Sequence, residues 1–132
     1  MDVIIESFIE TIQTTTGVVP IQTSSGITHG YCSKISTSEA NFFFYSDLEF
    51  LHFLSNAILF ESNPQKEDLY DLCNEVANLV IGRAKVLYSQ KNIQTALSTP
   101  SFLGEMSSTP THLEGIHFAI ERGKCSIYKE NL

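Results

Sequence analysis

Glu75 and Asn78 stand three residues apart in Asp71–Leu87, DLCNEVANLVIGRAKVL. On a helix that spacing sets a carboxylate beside a neutral carboxamide on one face. A carboxamide donates and accepts hydrogen bonds, so it can hold and orient a water. It does this without adding a charge that repels an anionic phosphoryl group. Asp71, Gly82 and Lys85 recur at the same three- and four-residue spacing and lengthen the stripe. Gly82 removes a side chain one turn beyond Asn78, which lets a partner's backbone come close. Such a set suits hydrolysis of an already activated phosphoryl group, where positioning a water does most of the work. The plainer alternative is a solvated face carrying an ordinary glutamate. Inside a helix, Asn is less favourable than Ala by several tenths of a kcal/mol and Gly by about 1 kcal/mol. A helix kept for stability alone gains by replacing both.

The element that must hold this stripe is itself legible. Leu69, Leu72, Val76, Leu79, Val80, Val86 and Leu87 recur at helical spacing and form an apolar side. Ser62-Asn63-Pro64-Gln65 supplies N-cap signals, with Pro in the first turn, and the helix runs to about Gln90, roughly 40 Å at ~1.5 Å per residue. A first helix is expected over residues 2–15, with Val3, Ile4, Phe8, Ile9 and Ile12 inward and Gly17 and Pro20 opening the loop GVVPIQTSSG. Strands are expected at 27–36 and 41–45, where Phe42-Phe43-Phe44-Tyr45 reads as a central strand covered on both faces. A short helix covers 48–60. Further strands are expected at 93–99, 117–121 and 125–129, the last two joined by an Arg122-Gly123-Lys124 turn, with Ser107–Thr111 an exposed loop. The order helix–strand–strand occurs twice. Glu10-x-x-Gln13-x-x-x-Gly17 echoes Glu75-x-x-Asn78-x-x-x-Gly82, so an internal pseudo-repeat is expected.

Composition narrows the function. The 132 residues suit a single domain with a real core, and a 42% hydrophobic content describes a soluble globule. No apolar run approaches the ~20 residues that span a bilayer, so no membrane partner is expected. The acidic start, MDVIIESFIE, lacks the basic stretch of a secretion signal, which predicts a cytoplasmic protein. A net charge of −7 with two arginines, Arg83 and Arg122, argues against nucleic acid, whose backbone needs clustered cations. Cys32, Cys73 and Cys125 form no C-x-x-C pair and read as reduced, buried thiols. His29, His52, His112 and His117 show no metal-ligand spacing, and there is no phosphate loop, dinucleotide fingerprint or nucleophile elbow.

Glu75-Val-Ala-Asn78 resembles the E-x-x-N signature of the CheC/CheX family of chemotaxis phosphatases. The wider run Asn74–Gly82 with Lys85, the segment Thr99-Pro100-Ser101-Phe102-Leu103-Gly104, and the opening Phe8–Ile12 to Gly17–Pro20 are similar to the family's pattern in the same order. The resemblance implies removal of the phosphoryl group from the aspartyl phosphate of a CheY-type response regulator. It implies that Asn78 orients the attacking water and that Glu75 docks onto a regulator lysine. Asp71, Gly82 and Lys85 fall to partner binding. The regulator supplies the Mg²⁺, so the chain needs no cofactor of its own. Gln13 stands where a second Asn would sit, and Thr14-Thr15-Thr16 makes a poorer helix, which points to the single-motif, CheX-like branch.

The expected fold is α/β in the broad (α+β) sense: two long helices on a mostly antiparallel sheet, with an internal helix-strand-strand pseudo-repeat. Family likeness also implies a homodimer in which strands of two chains extend one sheet. The competing expectation is a non-catalytic response-regulator-binding or flagellar-switch adaptor of the same fold; the related FliY branch shows why fold alone does not decide activity.

Overall fold

The computed structural model describes residues 1–132. Helix α1 (Asp2–Thr16) is followed by strands β1 (Ile21–Thr23), β2 (Gly30–Ser36) and β3 (Ala40–Ser46). Next come α2 (Leu48–Leu54), which runs on through a π-turn at Ser55–Leu59, and the long α3 (Lys66–Gln90). Strands β4 (Ser101–Met106), β5 (Glu114–Ile120) and β6 (Gly123–Asn131) complete the chain. All six strands form one sheet in the order β1-β5-β6-β3-β2-β4, and every pairing is antiparallel. This is the expected α+β arrangement of helices on an antiparallel sheet. No helix is long and apolar enough to cross a membrane.

The sheet obeys the two-residue alternation of side chains closely. Ile35, Phe42, Phe44, Ile116, Phe118, Ile120, Cys125 and Ile127 point to the helices and share one core with Ile4, Phe8 and Ile12 of α1 and the apolar side of α3. Phe8 stacks on Phe118 with ring centroids 4.1 Å apart and lies 6.3 Å from Phe50 of α2, which ties both outer helices to the sheet. The reverse face has its own small cluster of Ile27, Cys32, Tyr45 and Tyr128. The loop before β2 closes over it, with the Ile27 N–H donating to Ser126 Oγ at 3.3 Å. Phe42–Tyr45 is therefore central, but its second face is covered by a loop and Phe43 is only half-buried.

Relabelling β1, β2, β3 as β4, β5, β6 turns the strand order into its own reverse, so the sheet has a pseudo-two-fold between β3 and β6. The repeat is one helix followed by three strands, one strand more than the sequence pattern suggests. Each half lends its first strand to the other, β1 to β5 and β4 to β2. The three-residue β1 sits in what was expected to be loop, because it pairs only across the halves.

Several boundaries differ from expectation: β4 at 101–106 takes the place of the strand expected at 93–99, β5 begins at Glu114 rather than 117, and the helix expected over 48–60 changes to a π-turn after Leu54. Residues 93–99 form no strand beyond one bridge, Leu97 to Thr37. There the chain passes the end of the β2–β3 hairpin and hydroxyls replace the ladder: the Ser38 N–H donates to Thr95 Oγ1 and the Ala96 N–H to Ser38 Oγ. Residues 27–29 lie outside β2 because they cross over the reverse face. The β5–β6 turn is Glu121-Arg122, with Gly123 inside the strand. A Cβ on Gly123 would lie 2.4 Å from the backbone nitrogen of Phe50, so only glycine lets α2 rest on β6. Pro64 precedes the cap of α3 and is not in its first turn, since Gln65 is the N-cap.

Phe8 is wholly buried at the meeting point of α1, α2 and the sheet. Phe8→Ala should lower stability by about 3–5 kcal/mol in chemical denaturation, as expected for an aromatic cavity at a site that cannot collapse.

Candidate functional site

Helix α3 begins with a capping box: the Gln65 side chain takes up the Asp68 backbone N–H, and the Gln65 N–H donates to Asp68 Oδ2 at 3.0 Å. Leu69, Leu72, Cys73, Val76, Ala77, Val80, Ile81, Ala84 and Leu87 bury one side of it. Val86, expected on that side, is 46% exposed, and Leu79 is half-buried against α1; the buried arc runs through Val80, Ala84 and Leu87 and leaves Val86 outside it. Burial of this arc leaves Asp71, Glu75, Asn78 and Lys85 exposed along the opposite face, with Gly82 between the last two.

Asp71, Glu75 and Asn78 line an open groove with Asn74, whose far wall is Leu97–Pro100 on the way into β4. Neither Glu75 nor Asn78 has a hydrogen-bond or ion-pair partner within the chain, since the two ion pairs are His29–Glu105 and Arg83–Glu10. Asp71 and Glu75 are like charges one turn apart, which disfavours the helix by a few tenths of a kcal/mol. A Cβ at Gly82 would meet nothing within 4 Å, so neither fold nor packing needs glycine there. Gly82 and Lys85 continue the same face beyond the groove and do not line it.

The sequence reading missed Asn74 as a site residue. Its Oδ1 accepts from the wholly buried Ser33 hydroxyl at 2.8 Å, which pins the amide to β2 at the base of the groove. Its place four residues before Asn78 was the available signal. Ser98 and Thr99 were also missed, because their approach to α3 depends on β4. That strand docks through Phe102, stacked on Tyr70 of α3 at 4.4 Å. Gly104 takes φ +105° where β4 bulges against Cys32 and Ser33, a conformation open to glycine.

The thiols offer no alternative chemistry. Burial pushes Cys73, on the inner side of α3, up to about 12 and Cys32 up to about 11. Nucleophilic cysteines need the opposite shift. Burial lowers the pKa of His117 on the reverse face, where Nδ1 lies 2.8 Å from Ser126 Oγ.

The echo in α1 has been diverted. Glu10, the counterpart of Glu75, is held by Arg83 Nε at 2.8 Å. Gln13 is exposed, and Gly17 is the left-handed C-cap of α1, a task Gly82 does not have. Of the two copies, only the α3 copy presents its carboxylate unpaired.

No protein-family model matches the sequence, and no curated protein matches it significantly. Solved structures do. The chemotaxis protein CheX from Vibrio vulnificus superposes with a TM-score of 0.82 at 15% identity, covering 100% of this chain and 95% of that one. CheX in a CheX–CheY–BeF₃–Mg²⁺ complex from Borrelia burgdorferi superposes with 0.76 at 12%, covering 98% and 96%. Thermotoga maritima FliY follows with 0.64 at 13%, covering 96% and 82%. The fold is that of the CheX and CheC-like chemotaxis proteins.

Gly82→Ala should raise stability by about 1 kcal/mol, the helix-propensity difference, because the new methyl enters open space. Thermal and urea unfolding of the two proteins check this.

Proposed function

We propose that this protein removes the phosphoryl group from the aspartyl phosphate of a CheY-type response regulator. The observation that carries the reading is the unpaired Glu75–Asn78 pair, held outward on a rigid helix whose energetics favour other residues at these positions. The likeness to a CheX structure solved with CheY supports the choice of partner.

In this reading Asn78 enters the regulator's active site and holds a water with its carboxamide, in line with the phosphorus–oxygen bond that breaks. An aspartyl phosphate is an activated mixed anhydride, so placing the water matters more than deprotonating it. The neutral amide does not repel the phosphoryl oxygens. Glu75 contacts a regulator lysine and fixes the depth and angle of the helix. Asp71 lies one turn before Glu75, and Gly82 and Lys85 carry the contact along the same face. The regulator contributes the Mg²⁺, so this chain brings no cofactor of its own. A homodimer joined edge to edge belongs to the same reading; the outer strands are β1 and β4.

A second reading is a response-regulator-binding or flagellar-switch adaptor that docks without hydrolysis, since a fold shared with both CheX and FliY does not decide activity. Phosphate release from phosphorylated regulator separates the two: acceleration supports the phosphatase, and binding without acceleration supports the adaptor. Asn78→Ala should lower turnover by about 10²-fold or more while leaving the helix intact. Unchanged turnover in the folded variant would sink the assignment. Glu75→Gln should raise the half-saturating regulator concentration and flatten its salt dependence, with saturated turnover little changed. Steady-state dephosphorylation at two ionic strengths decides it. A large fall in saturated turnover with unchanged half-saturation would instead place Glu75 in the chemical step.

A further inference from the structure

Phe60 is the most exposed large apolar side chain of the molecule, at 91%, and its backbone takes φ +54°. Helices that end in the left-handed region favour glycine there, as α1 does with Gly17. Neither an exposed phenyl ring nor left-handed backbone under a side chain helps this chain fold.

The surroundings nevertheless hold this conformation firmly. The chain reaches Phe60 through the π-turn that extends α2, and the Phe60 N–H closes that turn on the carbonyl of Ser55. The same carbonyl accepts from the Glu61 N–H at 3.2 Å, and the Ser55 hydroxyl donates to the Glu61 carbonyl at 2.9 Å. Ser55 is wholly buried, so three bonds to one anchored residue fix the tip. π-turns and strained non-glycine residues gather at functional sites. Beside Phe60, Leu59 is 47% exposed. Ile58 and Leu59 share a groove with Asp68, Asp71, Leu72 and Glu75, which places Leu59 against the docking face of α3 and Phe60 at the rim beside it.

We infer that the Leu59–Phe60 tip is the apolar anchor of the interface with the response regulator, filling a depression next to the lysine that meets Glu75. The inference rests on the reading of α3 as the docking helix. Stable interfaces bury about 800 Å² per partner, so a protein that contacts Glu75 also covers the groove wall formed by Leu59. Aromatic side chains set in apolar pockets dominate such interfaces, whereas exposed ion pairs mainly steer. Asp68, Asp71 and Glu75 around the tip select a partner whose apolar pocket is rimmed by basic groups.

The test combines unfolding with dephosphorylation kinetics on a phosphorylated CheY-type regulator from the same organism. Phe60→Gly should raise the unfolding midpoint by a few degrees, because glycine relieves the backbone. It should also raise the half-saturating regulator concentration about tenfold, with saturated turnover unchanged. Phe60→Asn, which tolerates the same backbone, should weaken docking equally. A lower midpoint for Phe60→Gly overturns the inference by giving the ring a structural role. Unchanged half-saturation, while Glu75→Gln raises it, overturns the inference and leaves the docking reading standing. A wild-type dimer in sedimentation that Phe60→Gly makes monomeric assigns the tip to a second copy and overturns it too. If wild type neither binds nor dephosphorylates the regulator, the docking reading fails and takes this inference with it.

Discussion

Ser7 donates its hydroxyl hydrogen to the carbonyl of Val80 in the dry seam between α1 and α3. Both residues are wholly buried, as are Ala77 and Ala84 beside them. Small side chains on both sides let the helices approach closely, and the hydroxyl satisfies its own donor while bridging the two. This seam, together with the sheet beneath, fixes how α3 is rotated about its axis. The rotation decides which residues face water. A shift of one residue would turn Glu75 toward α1 and bury Asn78 against the apolar wall. The stripe is thus a consequence of what the rest of the helix buries.

The same constraint explains the different fates of the two motif copies. Arg83 follows Gly82 on α3 and lies on the α1 side of the stripe, within reach of Glu10. It neutralises the carboxylate of the first copy without touching the second. Exposed ion pairs of this kind contribute at most about 1 kcal/mol, so the pair does little for stability. Its clearer effect is electrostatic: Asp71 and Glu75 remain the unpaired carboxylates of the groove.

Periodicity made the helices legible, because a buried arc on a 3.6-residue repeat leaves a strong imprint in Leu69–Leu87 and Val3–Ile12. The pattern also located the Glu75–Asn78 face, since exposed residues at helical spacing are as periodic as buried ones. What escaped was set by long-range pairing. Strand β1 exists because Ile21 meets Ala119, and residues 93–99 are irregular because hydroxyls of Thr95, Ser98 and Ser38 substitute for ladder bonds. Neither fact has a local signature. Asn74 was visible in the motif, but its role depends on Ser33, far away in sequence and buried on β2. The second wall of the groove escaped for the same reason, being delivered by β4.

The exchange of outer strands between the two halves has a kinetic side. Strand β1 can pair only after β5 has been made, and β2 gains its outer neighbour only after β4. The central pair, β3 with β6, also joins opposite halves. Every ladder except the β2–β3 and β5–β6 hairpins therefore closes a loop spanning much of the chain, and loop closure comes before any reward from burial. The first half cannot complete its sheet as it leaves the ribosome. It must wait with the β3 edge unpaired until the last strand arrives, so this small protein should fold slowly for its size. While it waits, the bare edge of β3 is its most exposed invitation to aggregate.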